Sequence, residues 1–151
     1  MRTLLSIAAA LAVCGCTAAS AAALTKEEYK AGKARVAAEY QADRQKCGAH
    51  LGNAAEQCVA RARGAQKAGK AELEAAYKPS PRTQYDAAIA RAEAAYEIAR
   101  KECGGKGGET RKGCLKDAKA GQAEAKAAAS AARKASTAEQ GAAGKTAGAP
   151  R

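Results

Sequence analysis

CGAHLGNAAEQC, residues Cys47–Cys58, decides how this chain folds: two cysteines enclose a polar segment with two glycines and the chain's single histidine, His50. Such a segment suits a metal site, a redox site or a staple across a chain reversal. A second one, CGGKGGETRKGC at Cys103–Cys114, follows at an offset of 56 residues. Tyr29, Tyr40, Arg35, Arg44, Gly48, Gln66 and Lys70 recur at the same offset as Tyr85, Tyr96, Arg91, Arg100, Gly104, Gln122 and Lys126. Matches at one offset without gaps mark a duplicated unit.

Each unit reads as two helices around its cysteine segment. Alanine, Lys, Glu, Gln and Arg, the strongest helix formers, dominate the chain. From Leu24 onward there are only four Leu, two Val, two Ile and five Tyr, with no Phe, Trp or Met. Burying a large apolar side chain contributes roughly 1.5–3 kcal/mol, too little here for a globular core with a deep pocket, so long thin helices packed through small residues are expected. Alternating steps of four and three from the cysteines trace a seam. It runs through Tyr29, Lys33, Val36, Tyr40 and Asp43 against Ala62, Ala65, Gly69, Glu72 and Ala76. In the second unit Tyr85, Ile89, Ala92, Tyr96 and Ala99 face Ala118, Gly121, Ala125, Ala128 and Ala132. With each hairpin's cysteines level, Tyr40 opposes Ala65, Val36 opposes Gly69, Tyr29 opposes Ala76 and Tyr96 opposes Gly121, large against small.

The units join at YKPSPRTQY. Pro79 and Pro81 disfavour helix before them, so one helix ends near Tyr77 and the next starts at Pro81 with Ser80 as its cap. The sequence thus predicts an all-α fold: hairpin 1 over 24–78, a proline linker at 79–81, hairpin 2 over 82–136 and a disordered tail over 137–151. Two basic hairpins are expected to stand splayed or mobile about that linker rather than stacked side by side. Gly48 and Gly52 permit the first reversal, and Asn53 with Glu56 reads as a cap for the return helix.

The leader indicates the compartment. Arg2, an apolar run over Leu4–Val13 and small residues ending in A-x-A patterns have the form of a secretory signal peptide, 1–23, with cleavage after Ala21 or Ala23. Lipoprotein processing at Cys16 is the weaker alternative, because Cys14 stands where a small or branched apolar residue is wanted. The mature chain keeps four cysteines, Cys47, Cys58, Cys103 and Cys114, and in an oxidising periplasm an even number reads as disulfides. Pairing within each unit, Cys47 with Cys58 and Cys103 with Cys114, follows from the duplication, since each copy was stapled before a second existed. Zinc on Cys47, His50 and Cys58 lacks a fourth ligand, and Lys106 takes the histidine's place in the second copy. Redox chemistry prefers close C-x-x-C pairs. The glycines of the second loop lack both the P-loop spacing and its strand.

The two Tyr/Cys segments, EYKAGKARVAAEYQADRQKCGAHLGNAAEQC and QYDAAIARAEAAYEIARKEC, resemble those of small exported proteobacterial proteins with tandem helical hairpins, sometimes labelled TolA-like for their Ala/Lys/Glu-rich composition. The resemblance covers about residues 24–130 and implies export and helical hairpins, with no activity or catalytic residue to carry over.

The chain has 26 Lys and Arg against 15 Asp and Glu; losing Arg2 with the leader leaves a net charge of +10. No nucleophile stands beside a base, and the carboxylates alternate with cations as on a solvated face. The expected function is therefore non-enzymatic, without cofactor, metal or small-molecule substrate: a periplasmic or secreted structural or protein-interaction module of the cell envelope. The alternative is an electrostatic binder of an anionic polymer such as lipopolysaccharide or nucleic acid, using Arg61, Arg63, Lys67 and Lys70, a cationic run without an intervening acid.

Overall fold

The computed structural model describes residues 23–147; the signal-peptide reading of 1–23, apart from its last residue, lies outside them. The fold is all-α, with helices α1 (Lys26–Cys47), α2 (Gly52–Tyr77), α3 (Pro81–Cys103) and α4 (Gly108–Ala147). Both hairpins are stapled as the duplication requires: Cys47 to Cys58 with Cα atoms 5.4 Å apart, and Cys103 to Cys114 with 5.7 Å.

The helix ends follow from local chemistry. Thr25 accepts from the Glu28 N–H, and the Glu28 carboxylate accepts from the Thr25 N–H at 2.8 Å, a reciprocal cap that satisfies two otherwise orphan donors. Ser80 and Thr83 form the same box on α3, with Pro81 in the first turn, as the proline join predicts. The loops reverse through Gly52 and Gly108, which occupy left-handed backbone at φ 57° and 49° and are partners in the 56-residue repeat. A side chain there meets no neighbour but strains the backbone. Gly52→Ala and Gly108→Ala are each expected to cost about 1–2 kcal/mol, read from denaturant midpoints at unchanged slope.

The helices pack as a row. α2 packs on α1 and α3, and α3 on α2 and α4, while α1 and α4 do not approach each other, so the array is an open layer and not a closed bundle. At 100° per residue, Tyr85, Ala92, Tyr96, Ala99 and Cys103 face α4, while Ala87, Ala94 and Ile98 lie on the opposite side of α3 against α2. The two hairpins therefore lie side by side, which corrects the splayed arrangement. Small residues permit this: a β-carbon on Gly64 would sit 3.0 Å from the Ala94 β-carbon and 3.6 Å from Ile98. Close approach gains dispersion contacts that a sparse set of large side chains cannot supply.

Within hairpin 1 the expected seam holds at Ala62 and at Val36 on Gly69, fails at Ala65, and shifts by one residue beyond Val36. Val36 is buried and meets Gly69. Beyond it the buried small residue is Gly32 rather than Lys33, and it receives Leu73 rather than Glu72. Tyr29 stacks on Tyr77, with ring centroids 4.3 Å apart, one position past Ala76. The shift arises because a straight helix advances 3.6 residues per turn and leaves a 3.5-residue stripe behind. In α4 the seam keeps Ala118 as expected and then turns, running with the half-buried Leu115, Gln122 and Lys126 to the buried Ala129, while Gly121, Ala125, Ala128 and Ala132 are exposed. Leu115, the one large aliphatic residue of α4, draws that face inward.

Ala65, paired with Tyr40 in the sequence reading, is exposed, and Ala62 at 4% exposure is the residue on the seam. Ala65→Leu is accordingly expected to change stability by no more than about 0.5 kcal/mol, with Ala62→Leu clearly destabilising; paired urea melts distinguish them. α4 carries helix into the segment expected as a tail, as far as Ala147, with residues 137–143 exposed. Its alanine, glutamine and glutamate content supports helix there by propensity without packing.

Candidate interaction surface

The α2/α3 contact builds a groove crossed by ion pairs. Its floor is apolar: Ala55, Val59, Ala60 and Gly64 from α2, and Ala94 from α3, line a groove of about 630 Å³. Ion pairs cross the groove at either end. Lys101 reaches Glu56 at 2.8 Å near the hairpin tips, and Lys67 pairs with Glu93, which also receives Lys126 of α4 at 3.5 Å. On the other flank of the same interface Arg61 pairs with Glu102 at 2.6 Å and Arg91 with Glu72 at 2.9 Å. Exposed pairs contribute only about 0–1 kcal/mol each, so their role here is chiefly to set register between helices whose alanines could slide.

The tips are joined by a contact that the sequence reading assigned elsewhere. Leu51, not Asn53, is the residue preceding α2, and it makes no side-chain cap. Asn53 lies in the first turn and turns across to α3; with its amide oriented so that donors meet acceptors, the oxygen accepts from the Gly105 N–H and the nitrogen donates to the Lys101 carbonyl, both at 3.2 Å. Asn53 thus satisfies backbone groups where α3 ends, and Glu56 holds Lys101 beside it. The N-x-x-E pattern links the hairpins instead of capping α2.

The four cations singled out as an anion site are divided by this geometry. Arg61 and Lys67 are engaged by Glu102 and Glu93 of α3, acids that no reading of α2 alone could supply. Among the described residues Arg63 and Lys70 have no ion pair; Arg63 lies on the groove wall and Lys70 beside Ala71 and Ile89. Ile89 therefore also borders the α2/α3 side. Tyr40 and Tyr85 lie beneath Arg44 and Arg133, at 6.0 and 5.0 Å from the ring centroids, and Tyr96 is half-buried. Cys47, Cys58, Cys103 and Cys114 are all consumed in disulfides, and His50 is exposed at the first tip. Among the described residues no group of three His, Cys, Asp or Glu is placed to hold a metal, and no helix is long and apolar enough to cross a membrane.

Four carboxyls are held below their usual range by partners that favour the charged form. Glu28 is lowered by its hydrogen bond from the Thr25 backbone, Glu56 by that from Lys101, Glu74 by the Tyr29 hydroxyl, which donates at 2.6 Å, and Glu93 by Lys67. The same bond pushes the Tyr29 hydroxyl up. A carboxyl with a depressed folded pKa contributes stability above its unfolded value, near about 4.3, and loses it as pH falls through the folded value. The melting temperature should hold from pH 7 down to about pH 5 and then fall, and Glu93→Gln should flatten part of that fall in pH-dependent thermal melts.

Comparison with protein-family models, curated proteins and solved structures finds no match.

Proposed function

We propose that the protein is an exported, non-enzymatic scaffold of the cell envelope that docks a partner protein on its helical layer, in the periplasm or outside the cell. The observation that carries this reading is the layer itself, a row of helices with two exposed faces, fixed by two disulfides and by ion pairs across α2 and α3. Rigid helices displaying side chains at fixed spacing suit recognition of another protein, and the stapled tips suit an oxidising compartment. The α2/α3 groove, apolar along its floor and charged along its walls, has the layout of a protein contact. A photo-crosslinking residue at position 59, activated in intact cells, should give a discrete adduct that persists in high salt and is lost when Gly64 becomes Leu. Labelling at random, equal in both backgrounds, would count against the scaffold reading.

A second reading, binding of an anionic polymer, is favoured by cations without ion pairs among the described residues. Besides Arg63 and Lys70, these include Lys106, Arg111, Lys116 and Lys119 around the second tip. Four phosphate contacts would make affinity for nucleic acid or lipopolysaccharide fall on the order of 100-fold between about 50 and about 200 mM salt. Salt-insensitive binding, or none, argues against it.

A further inference from the structure

The internal repeat places each helix of hairpin 1 in correspondence with one of hairpin 2, yet the two outer helices each lack a neighbour that their counterparts have. α3 is packed on both sides, by α2 and α4. Its counterpart α1 is packed on one side only, but has the residue pattern of a helix packed on both. Opposite its seam lie Ala31, Ala34, Ala38 and Ala42, with Glu27 on the same face in the first turn, and all four alanines are exposed. They occupy, at the offset of 56, the positions of Ala87, Ala90, Ala94 and Ile98, the side of α3 that meets α2. α4 also lacks a neighbour that its counterpart has: α2 is packed by both α1 and α3, and Lys116 of α4 takes the place of Ala60 in the groove floor. Gly113, Ala120, Ala127 and Ala131 of α4 stand where α2 has Gln57, Gly64, Ala71 and Ala75, and they too are exposed.

We propose that copies of this chain associate head to tail, the outer face of α4 in one copy docking on the outer face of α1 in the next as α2 docks on α3 within the chain. The occupant of each face is thereby specified by an interface already present in the molecule, and the register transfers with it. Ala120 comes opposite Ala38 of the neighbouring copy, as Gly64 comes opposite Ala94. The methyl on Ala120 sets these two axes slightly further apart than those of α2 and α3. The ion pair between Arg61 and Glu102 becomes Asp117 with Lys46 of the neighbour, the same contact with its charges exchanged. At the far end Lys134 comes level with Glu27. Asp117, Lys134 and Glu27 have no ion pair among the described residues, and Lys46 pairs only with Asp43 on its own helix. The contact is heterologous, so it propagates into an open row or closes as a ring. Because every copy carries net positive charge, added salt strengthens the association by screening repulsion between copies, the opposite of its effect on an anionic ligand.

Sedimentation velocity of the full disulfide-bonded chain, over micromolar to millimolar concentration, tests this inference independently of any partner. The expected result is concentration-dependent growth beyond the dimer, promoted by salt. Ala38→Glu and Ala120→Glu each place a charge in one of the two faces and should each weaken association at least about 10-fold, with the melting temperature of the dilute protein unchanged. Each variant keeps the face that the other lacks, so an equimolar mixture should form dimers and stop there. Lys46→Asp should weaken association and Asp117→Lys in the same chain should restore it. A chain that stays monomeric to millimolar concentration, association that survives Ala38→Glu, or a mixture that behaves like its separate components would overturn the proposal.

Discussion

Replacing Cys103 and Cys114 together by alanine is expected to lower the unfolding free energy by about 3 kcal/mol, and replacing Cys47 and Cys58 by a similar amount. The two loops have the same sequence separation, 11, so the entropy that each staple removes from the unfolded chain is the same. A difference between the two double variants therefore reports on the folded state. Cys103 is fully buried and Cys47 nearly so, so both variants also lose some packing. The second pair should prove the costlier. α1 keeps Val36 on Gly69, Leu73 against Gly32 and the Tyr29–Tyr77 stack after its staple is lost, whereas among the described residues α4 brings one buried residue, Ala129, to its seam with α3. Without Cys103–Cys114, α4 should detach while α1 to α3 remain folded, so hydrogen exchange would accelerate in α4 before elsewhere. A melting temperature unaffected by reductant would show that the helices hold without their staples.

The contrast between the hairpins explains what could be read in advance. The cysteine pairs, the proline join and the repeat are local or periodic signals, and each fixes one feature of the fold: the staples, the end of α2 with the Ser80 cap, and the equivalence of Gly52 with Gly108. The Thr25–Glu28 box, T-x-x-E ahead of a helix, is a local signal that the sequence reading passed over. The packing of α2 on α3 was not. It rests on Gly64, Ala87 and Ala94, and in a chain where alanine lies on nearly every face such a stripe carries no contrast. Nor could the acids that engage Arg61 and Lys67 be located while α3 was imagined apart from α2. Asn53 shows the same difficulty in one residue. Its sequence neighbourhood suits a cap, and only the approach of the second hairpin reveals the backbone groups that it serves.

The contact between hairpins therefore rests on glycine at position 64, and Gly64→Leu is expected to destabilise the protein by about 3 kcal/mol, at the upper end for overpacking. A β-carbon at this position would lie 3.0 Å from the Ala94 β-carbon and 3.5 Å from its α-carbon. The first of these is tighter than ordinary contact and the Ala94 methyl cannot rotate aside, so the further carbons of a leucine force the helices apart. Separation stretches the ion pairs on both flanks, Glu56–Lys101 and Arg61–Glu102 among them, and pulls Asn53 from the end of α3. Gly121→Leu is the matched control. It replaces a glycine by leucine in a helix of the same hairpin class, but at an exposed site where a β-carbon meets nothing within 4 Å. Leucine is a better helix former than glycine by roughly 0.5–1 kcal/mol, so the control should be neutral or slightly stabilised. The difference between the two variants isolates packing, because the propensity gain is common to both. With both disulfides intact each hairpin survives, so Gly64→Leu should keep its helical circular dichroism while its radius of gyration in X-ray scattering rises as the two units swing apart. Equal stabilities for the two variants, with an unchanged radius, would mean that α2 and α3 do not pack in solution, and the groove on Val59 and Ala94 would go with them.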